Sequence, residues 1–500
     1  MREVNGFSGS HVPQLAPIRA RNEIDAGRFT PVNGASDLEV TNFLNKLFAH
    51  AVVTGISDIH FEFDEIDGLR VRVRTSGFLS KYPESLTADQ ARIARAKICA
   101  KAKLDEQQRY REQDGRMMLY FGGRRVDMRL NLTPTVAGSK LVSRLLDSNN
   151  SKTNIDEMDV SHTVRSAMKR VVTSPEGMLL MAGPTGSGKT TTLYSLMHYL
   201  HDDIRHILTI EDPVEYSVKG FTQIEVNGHM GWLSAIAASL RQDPDVIMIG
   251  EIREDKHNSN GSSQSADAAF RAGETGHFVL STVHANNAVT TISRLLQLGV
   301  PAAAISRTLK AVVAQRLIET LIPGSELEWI EPTAVEEEWL KRFNAWSPGI
   351  KLPKIINGGF SGRLPVVEMI EITAGMKELL NETNPTNIEA RLSELAARQP
   401  QFETLAQAGV RLVLSGKTTL AQIMGITGDI TWVPRFKRFE QILVQQAIIN
   451  GDQVDDAYGA IDEAFQQGVV MRLDRYLLDN GVCTADQIDE AMRMSHASGI

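Results

Sequence analysis

Hydrophobic and polar residues follow two different patterns along the first two thirds of the chain. From Asp37 the apolar residues recur every three or four positions, which predicts a helix. Segments 57–62 and 69–74 alternate apolar with polar residues, as half-buried strands do. Further elements are predicted as a helix at 87–104 and strands at 116–120 and 124–130. Together these elements predict an α+β unit.

A second pattern occupies the middle of the chain, from about residue 160 to 320. Short apolar runs alternate there with helical patterns. Such runs are typical of parallel strands that are buried on both faces of a sheet. They lie at 178–182, 206–210, 246–249 and 277–281. This pattern therefore predicts an α/β core built on a parallel sheet.

The C-terminal stretch contains an internal repeat at an offset of 34 residues. Residues 439–444 match 473–478, and residues 452–457 match 486–491. Each copy is predicted to form two short helices joined by a turn, and two such pairs can stack into one small bundle. The module has two interpretations, structural packing or a contact surface for another protein.

A polar, turn-forming stretch that starts at Asp147 separates the two larger patterns. The chain is therefore predicted to have five parts. They are a flexible N-terminal arm (1–35), an α+β domain (36–146), a linker (147–157), an α/β domain with a helical C-terminal part (158–434) and a helical repeat module (435–500).

Composition narrows the class of protein further. Of the 500 residues, 42% are hydrophobic and 23% are charged, which excludes disordered and fibrous proteins. The 53 basic and 61 acidic residues give a net charge of −8, so no broadly basic nucleic-acid surface is indicated. Cys99 and Cys483 are too few for a disulfide framework or a four-cysteine zinc site. Since no apolar run reaches about 18 residues and no apolar leader begins the chain, we expect a reduced, soluble, cytoplasmic protein.

Residues 183–190 match the phosphate-binding loop pattern G-x-x-x-x-G-K-[ST] in full. An apolar strand precedes the loop and a helical segment follows it, as this motif requires. Glycines let backbone N–H groups surround phosphates, Lys189 reaches the β- and γ-phosphates, and Thr190 offers its hydroxyl to magnesium. The predicted ligand is ATP or GTP, contacted by Gly183, Pro184, Thr185, Gly186, Ser187, Gly188, Lys189, Thr190 and Thr191.

Acidic residues and histidines follow other predicted strands, where the ligands of parallel sheets gather. Glu211 and Glu251 are predicted to face the phosphates. Glu215 is either a third such group or a solvated loop charge. His277 and His284 also lie at strand ends, and either one of them senses the γ-phosphate or both are structural histidines.

Four motifs stand in order along the middle of the chain: GPTGSGKTTTLYS, TIEDPVEY, LRQDPDVIMIGEIRE and TGHFVLSTVHANNA. Together with SDIHFE (57–62), QDGR (113–116) and VDMRLNLTPT (126–135), they closely resemble the secretion-ATPase superfamily over roughly residues 37–430. This group powers type II secretion and the assembly and retraction of type IV pili, with relatives in type IV secretion. The resemblance implies a RecA-like α/β ATPase core, preceded by a PAS-like N-terminal domain and followed by a helical region.

The resemblance also implies roles for individual residues. Glu211 would polarise the attacking water and Glu251 would help to hold magnesium with Thr190, or the two glutamates would share these roles. His284 would belong to the family's histidine box. In the family, arginines of the N-terminal domain fold over the nucleotide, in some members from a neighbouring subunit, and their planar guanidinium groups suit phosphate oxygens. These positions are matched by Arg116, Arg129 and Arg144.

Partners and cofactors follow from the same resemblance. Similar proteins form hexameric rings that use ATP and Mg²⁺ at the inner face of the inner membrane, where they act on a membrane platform protein. We expect the same here, with membrane contact through that partner and no nucleic acid. Extension members often carry a four-cysteine zinc insert after the segment matched by 314–317, but the residues that directly follow it here, 318–324, contain no cysteine, so no zinc is expected. Ser139 replaces a family glutamate, and 255–263 has the polarity of an exposed insertion.

These departures make the chain most similar to the ATPases of type IVb systems, such as conjugative thin pili and bundle-forming pili. The C-terminal repeat loosely resembles the helical module of extension ATPases, some of which bind cyclic di-GMP, but Asp474 stands where a glycine is usual. The first hypothesis is a motor of pilus assembly. The alternatives are a motor of pilus retraction or effector secretion, and a nucleic-acid translocase, which the 6% aromatic content and the negative charge disfavour.

Overall fold

The computed structural model describes residues 29–31, 34–75, 78–108, 110–121, 124–147, 154–202, 204–215, 218–227, 229–252, 263–382, 386–428, 437–467 and 469–498. It divides into two compact units, one up to Asp147 and one from Ser148 onward. Most of the predicted arm (1–28), part of the predicted linker (148–153) and nearly all of the predicted insertion (255–262) lie outside the described residues.

The first unit is an antiparallel sheet packed against two helices. Its strands lie in the order β3-β2-β1-β6-β5-β4. The α+β prediction is confirmed, and the structure adds the strands β3 and β6. The elements are α1 (Gly34–Thr54), β1 (Asp58–Asp64), β2 (Gly68–Thr75), β3 (Phe78–Lys81), α2 (Ala88–Ala102), β4 (Gln113–Phe121), β5 (Arg124–Thr135) and β6 (Gly138–Asp147).

The alternation along β1 explains why this sheet has one apolar and one polar face. Ile59, Phe61 and Phe63 are buried in the core that the sheet shares with the helices. His60 and Glu62 point to the opposite face, because successive side chains of a strand alternate. The polar face of this sheet carries the arginines that the sequence analysis singles out.

The second unit is built on a seven-stranded sheet with helices on both faces. Its elements before the C-terminal repeat are α3 (His162–Val172), β7 (Gly177–Ala182), α4 (Lys189–Leu200), β8 (Ile207–Glu211), β9 (Thr222–Glu225), α5 (Trp232–Ser239), β10 (Val246–Ile249), α6 (Gln264–Glu274), β11 (Phe278–Val283), α7 (Ala288–Gln297), α8 (Ala302–Thr308), β12 (Leu309–Leu321), β13 (Glu326–Ile330), α9 (Ala334–Arg342), β14 (Leu352–Asn357), β15 (Phe360–Glu371), α10 (Ala374–Leu380), α11 (Ile388–Ala397), α12 (Leu405–Leu414) and α13 (Leu420–Ile426).

The strand order is β15-β12-β7-β11-β10-β8-β9, and all neighbours are parallel except β15, which runs antiparallel to β12. All four predicted apolar runs are strands of this sheet, so the α/β prediction is confirmed. Alternate residues of β7 enter the cores on opposite faces: Met178 and Leu180 on one side, Leu179 and Met181 on the other. This double burial explains why the runs are apolar throughout.

Residues 325–400 had no clear pattern in the sequence, and they form several elements. Strand β15 pairs with β12 along most of its length, while β13 and β14 form a separate two-stranded ribbon. The first half of β15 is largely exposed and its second half is buried. A strand that changes its surroundings halfway along has neither a clean alternation nor a continuous apolar run.

The C-terminal repeat forms four helices, α14 (Phe439–Gln445), α15 (Gly451–Gln466), α16 (Leu473–Asp479) and α17 (Ala485–Ser498). The two predicted helix pairs are therefore present, but their packing crosses between the copies. Helix α14 of the first copy packs on α17 of the second, and α15 packs on α16. One shared core, which includes Leu443, Ala457, Leu477 and Ala491, is buried between them.

Polar contacts tie this helical module to the rest of the second unit. The backbone N–H of His162, at the start of α3, donates to Asp455 of α15 over 3.2 Å. The Gln445 amide donates to the Asn344 carbonyl over 2.8 Å, and the Arg438 guanidinium donates to the Phe402 carbonyl over 2.9 Å. Among the described residues, no helix has both the length and the apolar character needed to cross a membrane.

Candidate nucleotide-binding and hydrolysis site

The loop 183–190 joins the end of β7 to the start of α4. Gly183, Gly186 and Gly188 have φ values of +150°, +78° and +83°, which side chains rarely adopt. A Cβ atom at Gly183 would also lie 2.5 Å from the carbonyl oxygen of Gln315. Glycine is therefore required here, and the backbone N–H groups at the N-terminus of α4 form the anion-binding arrangement predicted for a phosphate.

Lys189 lies inside this loop and is 8% exposed. Its ammonium donates to the carbonyl oxygens of Gly183 over 2.8 Å and Pro184 over 2.9 Å. Burial, together with the positive charge of Arg316, lowers the pKa of Lys189 to about 8. An anion bound in the loop would offset both effects, so the lysine is placed where a phosphate would stabilise its charge. Thr190 is half-buried in the first turn of α4.

A buried glutamine on β12 braces the loop from behind. The Gln315 amide donates to the Ser187 carbonyl over 2.8 Å and accepts from the Thr192 hydroxyl over 2.8 Å. A Cβ atom at Gly188 would lie 2.8 Å from the same amide nitrogen. The loop and its helix are thus held against β12 by one side chain that the sequence analysis did not identify as part of the site.

Glu211 ends β8 and is only 3% exposed. The Tyr194 hydroxyl donates to its two carboxylate oxygens over 2.8 and 3.0 Å, and the Thr209 hydroxyl donates over 2.7 Å. Gln223 and the backbone N–H of Glu215 lie 3.5 Å away. Burial raises the pKa of Glu211, and the hydroxyl donors oppose that rise. The carboxylate is therefore held by protein donors on several sides.

Glu251 follows β10, and its side chain is 22% exposed. The Nε2 atom of His284 lies 3.6 Å from its carboxylate, so the end of β11 is brought beside the end of β10. The Thr282 hydroxyl donates to the Gly250 carbonyl over 2.8 Å, which fixes the backbone just before the glutamate. This carboxylate is more accessible than that of Glu211.

The two histidines that sequence reasoning left open lie at opposite ends of β11. His277 precedes the strand, and its ring contacts the Ala272 carbonyl at 3.0 Å and the Thr275 hydroxyl at 3.3 Å. Strand β11 has six residues and rises about 3.3 Å per residue, so its two ends lie about 20 Å apart. The phosphate loop follows the far end of the neighbouring parallel strand β7. His277 is therefore a structural histidine, and only His284 lies at the loop end of the sheet.

The three predicted arginines lie in a single row across the polar face of the first unit. Strand pairing places Asp58 opposite Arg144, Arg144 opposite Arg129, and Arg129 opposite Arg116. The Arg144 Nε donates to Asp58 over 2.8 Å. The row therefore consists of three neighbouring guanidinium groups, with the carboxylate of Asp58 beside Arg144 at one end.

A buried carboxylate that the sequence analysis did not identify lies at the loop end of the sheet. Glu368, on β15, is 4% exposed. It accepts hydrogen bonds from the backbone N–H groups of Ala288 over 2.8 Å and Leu405 over 3.2 Å, which begin α7 and α12. One carboxylate therefore caps two helices. Its signal in the sequence is a lone acid within the apolar run 366–370.

The burial of Glu368 has a consequence for stability. Burial raises its pKa from 4.5 to about 7, although the two N–H groups and Arg316 oppose the shift. Between these values the folded chain keeps a proton that the unfolded chain has released, so stability falls as pH rises through this window. Relative to Glu368→Gln, we expect the wild type to lose about 2 kcal/mol between pH 5.5 and 8. Urea unfolding at a series of pH values measures this loss, and parallel curves for the two proteins would contradict it.

The parallel sheet, the phosphate loop after β7 and the carboxylates after β8 and β10 define the second unit as the RecA-like core of a P-loop ATPase. The chain belongs to the type II/IV secretion system protein family, whose model matches residues 33–425. The resemblance to secretion ATPases predicted from the motifs is thereby confirmed.

Individual relatives and structures agree with this family. The chain is 34% identical over 408 residues to the type IV pilus assembly ATPase PilB of Pseudomonas aeruginosa, covering 79% of this chain and 69% of the relative. It is 33% identical over 403 residues to the type II secretion system ATPase E of Vibrio cholerae, covering 79% and 76%. Its fold is similar to that of the Legionella pneumophila ATPase DotB, with 19% identity, a TM-score of 0.58 and coverage of 81% and 97%. The pilus retraction motor PilT with bound ADP is also similar, with 24% identity, a TM-score of 0.55 and coverage of 77% and 96%.

Proposed function

We propose that this chain is a motor ATPase of type IV pilus assembly, which works as a homohexamer on an inner-membrane platform protein. The observation that carries the proposal is the convergence of the phosphate loop, Glu211, Glu251 and His284 at one end of the sheet, in a chain 34% identical to a pilus assembly ATPase. Similarity to that relative supports assembly. The sequence departures described above are the reason for proposing the type IVb subgroup.

The residues at the loop fit ATP with magnesium. Mg²⁺ prefers oxygen ligands, and the hydroxyl of Thr190 and the accessible carboxylate of Glu251 supply them. When bound, magnesium would neutralise charge on the β- and γ-phosphates. Lys189 and the backbone N–H groups of 183–190 would hold the phosphates. Glu211 and Glu251 would orient the attacking water and accept the proton that it releases.

His284 and the arginine row complete the proposed machinery. With its ring 3.6 Å from Glu251, His284 would orient that carboxylate and report on the γ-phosphate. Arg116, Arg129 and Arg144 present guanidinium groups along one row of the first unit. In a ring, this row would meet the nucleotide of the same or a neighbouring subunit and stabilise the charge that develops during hydrolysis.

The helical module that follows residue 434 is proposed to contact another component of the machine. Arg472 matches the start of the cyclic-dinucleotide module of some relatives. Its Nε and Nη2 atoms donate to the two carboxylate oxygens of Asp474, each at 3.0 Å. Because a local carboxylate already neutralises this guanidinium, the pairing argues against an anionic ligand there. Contact with a protein is the interpretation that we retain.

Deletion of the gene in its pilus-bearing host is expected to leave cells without pili. Re-expression of the wild type should restore them, and Lys189→Ala should not, since pilin assembly would need turnover. A variant of an exposed lysine far from the loop, Lys354→Ala, serves as the matched control and should restore pili. Electron microscopy that counts pili per cell is the measurement. An excess of pili in the deletion would indicate a retraction motor, and normal pili with accumulated secreted proteins would indicate a type II secretion ATPase.

A further inference from the structure

The helix that follows the phosphate loop carries a tyrosine that is fully buried beside a carboxylate. Tyr194 lies on α4, and its ring is 0% exposed. Its hydroxyl reaches both oxygens of Glu211, over 2.8 and 3.0 Å. Burial, reinforced by the charge of Glu211, raises the pKa of Tyr194, so this hydroxyl keeps its proton and acts as a donor.

The orientation of that hydroxyl is fixed by a third side chain. The Gln223 amide, on the edge strand β9, donates to the Tyr194 oxygen over 3.1 Å. The oxygen therefore accepts from Gln223 and directs its own hydrogen to the carboxylate. Gln223 is itself held, because its Oε1 accepts from the backbone N–H of Val218 over 2.7 Å. Such a chain of hydrogen bonds polarises and strengthens each member in a low-dielectric site.

The charges around Glu211 make this donor important. The titratable groups near that end of β8 include Tyr194 itself and the carboxylates Asp212, Glu215, Glu225 and Glu251, while Lys189 begins the helix that carries Tyr194. Strand β10 and helix α5, which also pack on β8, carry only uncharged residues. Among the described residues, the groups that donate to Glu211 are all uncharged, and each donor that is removed disfavours its ionised form.

We propose that Tyr194 is a positioning residue for ATP hydrolysis, which fixes the orientation of the Glu211 carboxylate from the helix of the phosphate loop. This inference rests on the proposed role of Glu211 in orienting the attacking water. Lys189 and Tyr194 lie on the same helix, one at its start and one five residues later. Helix α4 therefore carries both the lysine proposed to bind the phosphates and the tyrosine that orients the Glu211 carboxylate.

The test is steady-state hydrolysis by full-length Tyr194→Phe, which removes only the hydroxyl. We expect kcat to fall about tenfold, the factor for one lost hydrogen bond to a charged group, while KM for ATP stays within about twofold. The acidic limb of the kcat profile should move to higher pH, because the carboxylate loses a donor that favours its ionised form. A purely structural role of the ring would leave that limb in place.

Tyr199→Phe is the matched control, since Tyr199 lies on the same helix and is 43% exposed. It should leave kcat and the pH profile unchanged. If Tyr194→Phe fails to fold, as judged by its thermal midpoint, Gln223→Leu replaces it, because loss of Gln223 frees the hydroxyl to turn away from Glu211. The same shift of the acidic limb is expected from that variant.

Glu211→Gln distinguishes a failure of the proposed role of Tyr194 from a failure of the proposed role of Glu211. Should Glu211→Gln be inactive while Tyr194→Phe keeps wild-type kcat and an unmoved acidic limb, the inference about Tyr194 is wrong and the role of Glu211 stands. Should Glu211→Gln keep full turnover, the proposed role of Glu211 itself is wrong, and the tyrosine has no catalytic carboxylate to position.

Discussion

Lys189→Ala is expected to lower ATP turnover by about 10²–10³-fold, the loss typical of removing one charged or hydrogen-bonding group from a transition state. The ammonium of Lys189 lies within the glycine loop, 2.8 Å from the Gly183 carbonyl and 2.9 Å from the Pro184 carbonyl. In the proposed reaction it would exchange these carbonyls for phosphate oxygens whose charge increases as the bond breaks. Alanine offers no such charge. Coupled measurement of ADP release at saturating ATP tests the expectation.

The folded state should tolerate this substitution. Burial lowers the pKa of Lys189, which means that the folded chain disfavours the charged form of this side chain. Removing a buried ammonium therefore relieves a desolvation penalty, and the thermal midpoint should not fall. Lys354→Ala, at an exposed position on β14, is the control for the loss of a lysine as such. Full turnover by Lys189→Ala, with normal folding, would refute the proposed phosphate site.

Glu251→Gln is expected to abolish most hydrolysis, by about 10²–10³-fold, and to retain ATP binding. The amide keeps the shape of the side chain, but it has neither the charge to hold magnesium nor the basicity to take a proton from water. Fluorescent nucleotide binding and turnover, measured on the same preparation, separate affinity from chemistry.

A glutamate at the far end of the sheet provides the comparison for Glu251. Glu274 ends α6 and pairs with Arg307 over 3.0 Å, well away from the loop. Glu274→Gln changes the same functional group and should leave turnover unaltered. An equal loss in both variants would mean that the effect on Glu251→Gln is one of folding. Unchanged turnover in Glu251→Gln would leave Glu211 as the group that orients water.

Sequence patterns were sufficient to predict the parts of this fold whose residues have uniform surroundings. The run 178–182 is apolar because both faces of β7 are covered, and Ile59, Phe61 and Phe63 alternate because one face of β1 is not. Strand β15 was not predicted because its first half is exposed to solvent and its second half is buried in the core. Strand β6 is visible in the sequence only as a stretch with basic residues, since its polar side chains lie on the arginine face.

The residues of the site also fall into a group that the sequence predicts and a group that it does not. The glycine loop and the acids after strands β8 and β10 were predictable, because local spacing and position after a strand determine them. Tyr194, Gln315 and Glu368 were not, since each acts on a residue more than fifteen positions away along the chain. Contacts of that kind depend on strand order, which no local pattern contains. The choice between His277 and His284 likewise required knowing which end of β11 faces the loop.

The crossed packing of the last four helices limits how this region can be divided. Because α14 packs on α17 and α15 on α16, neither 34-residue copy contains the surface that covers its own apolar residues. A single copy, prepared as a separate peptide, would leave those residues exposed unless it paired with a second molecule. The module in this sense resembles a dimer of two related helix pairs joined end to end, and its halves should associate when supplied as separate peptides.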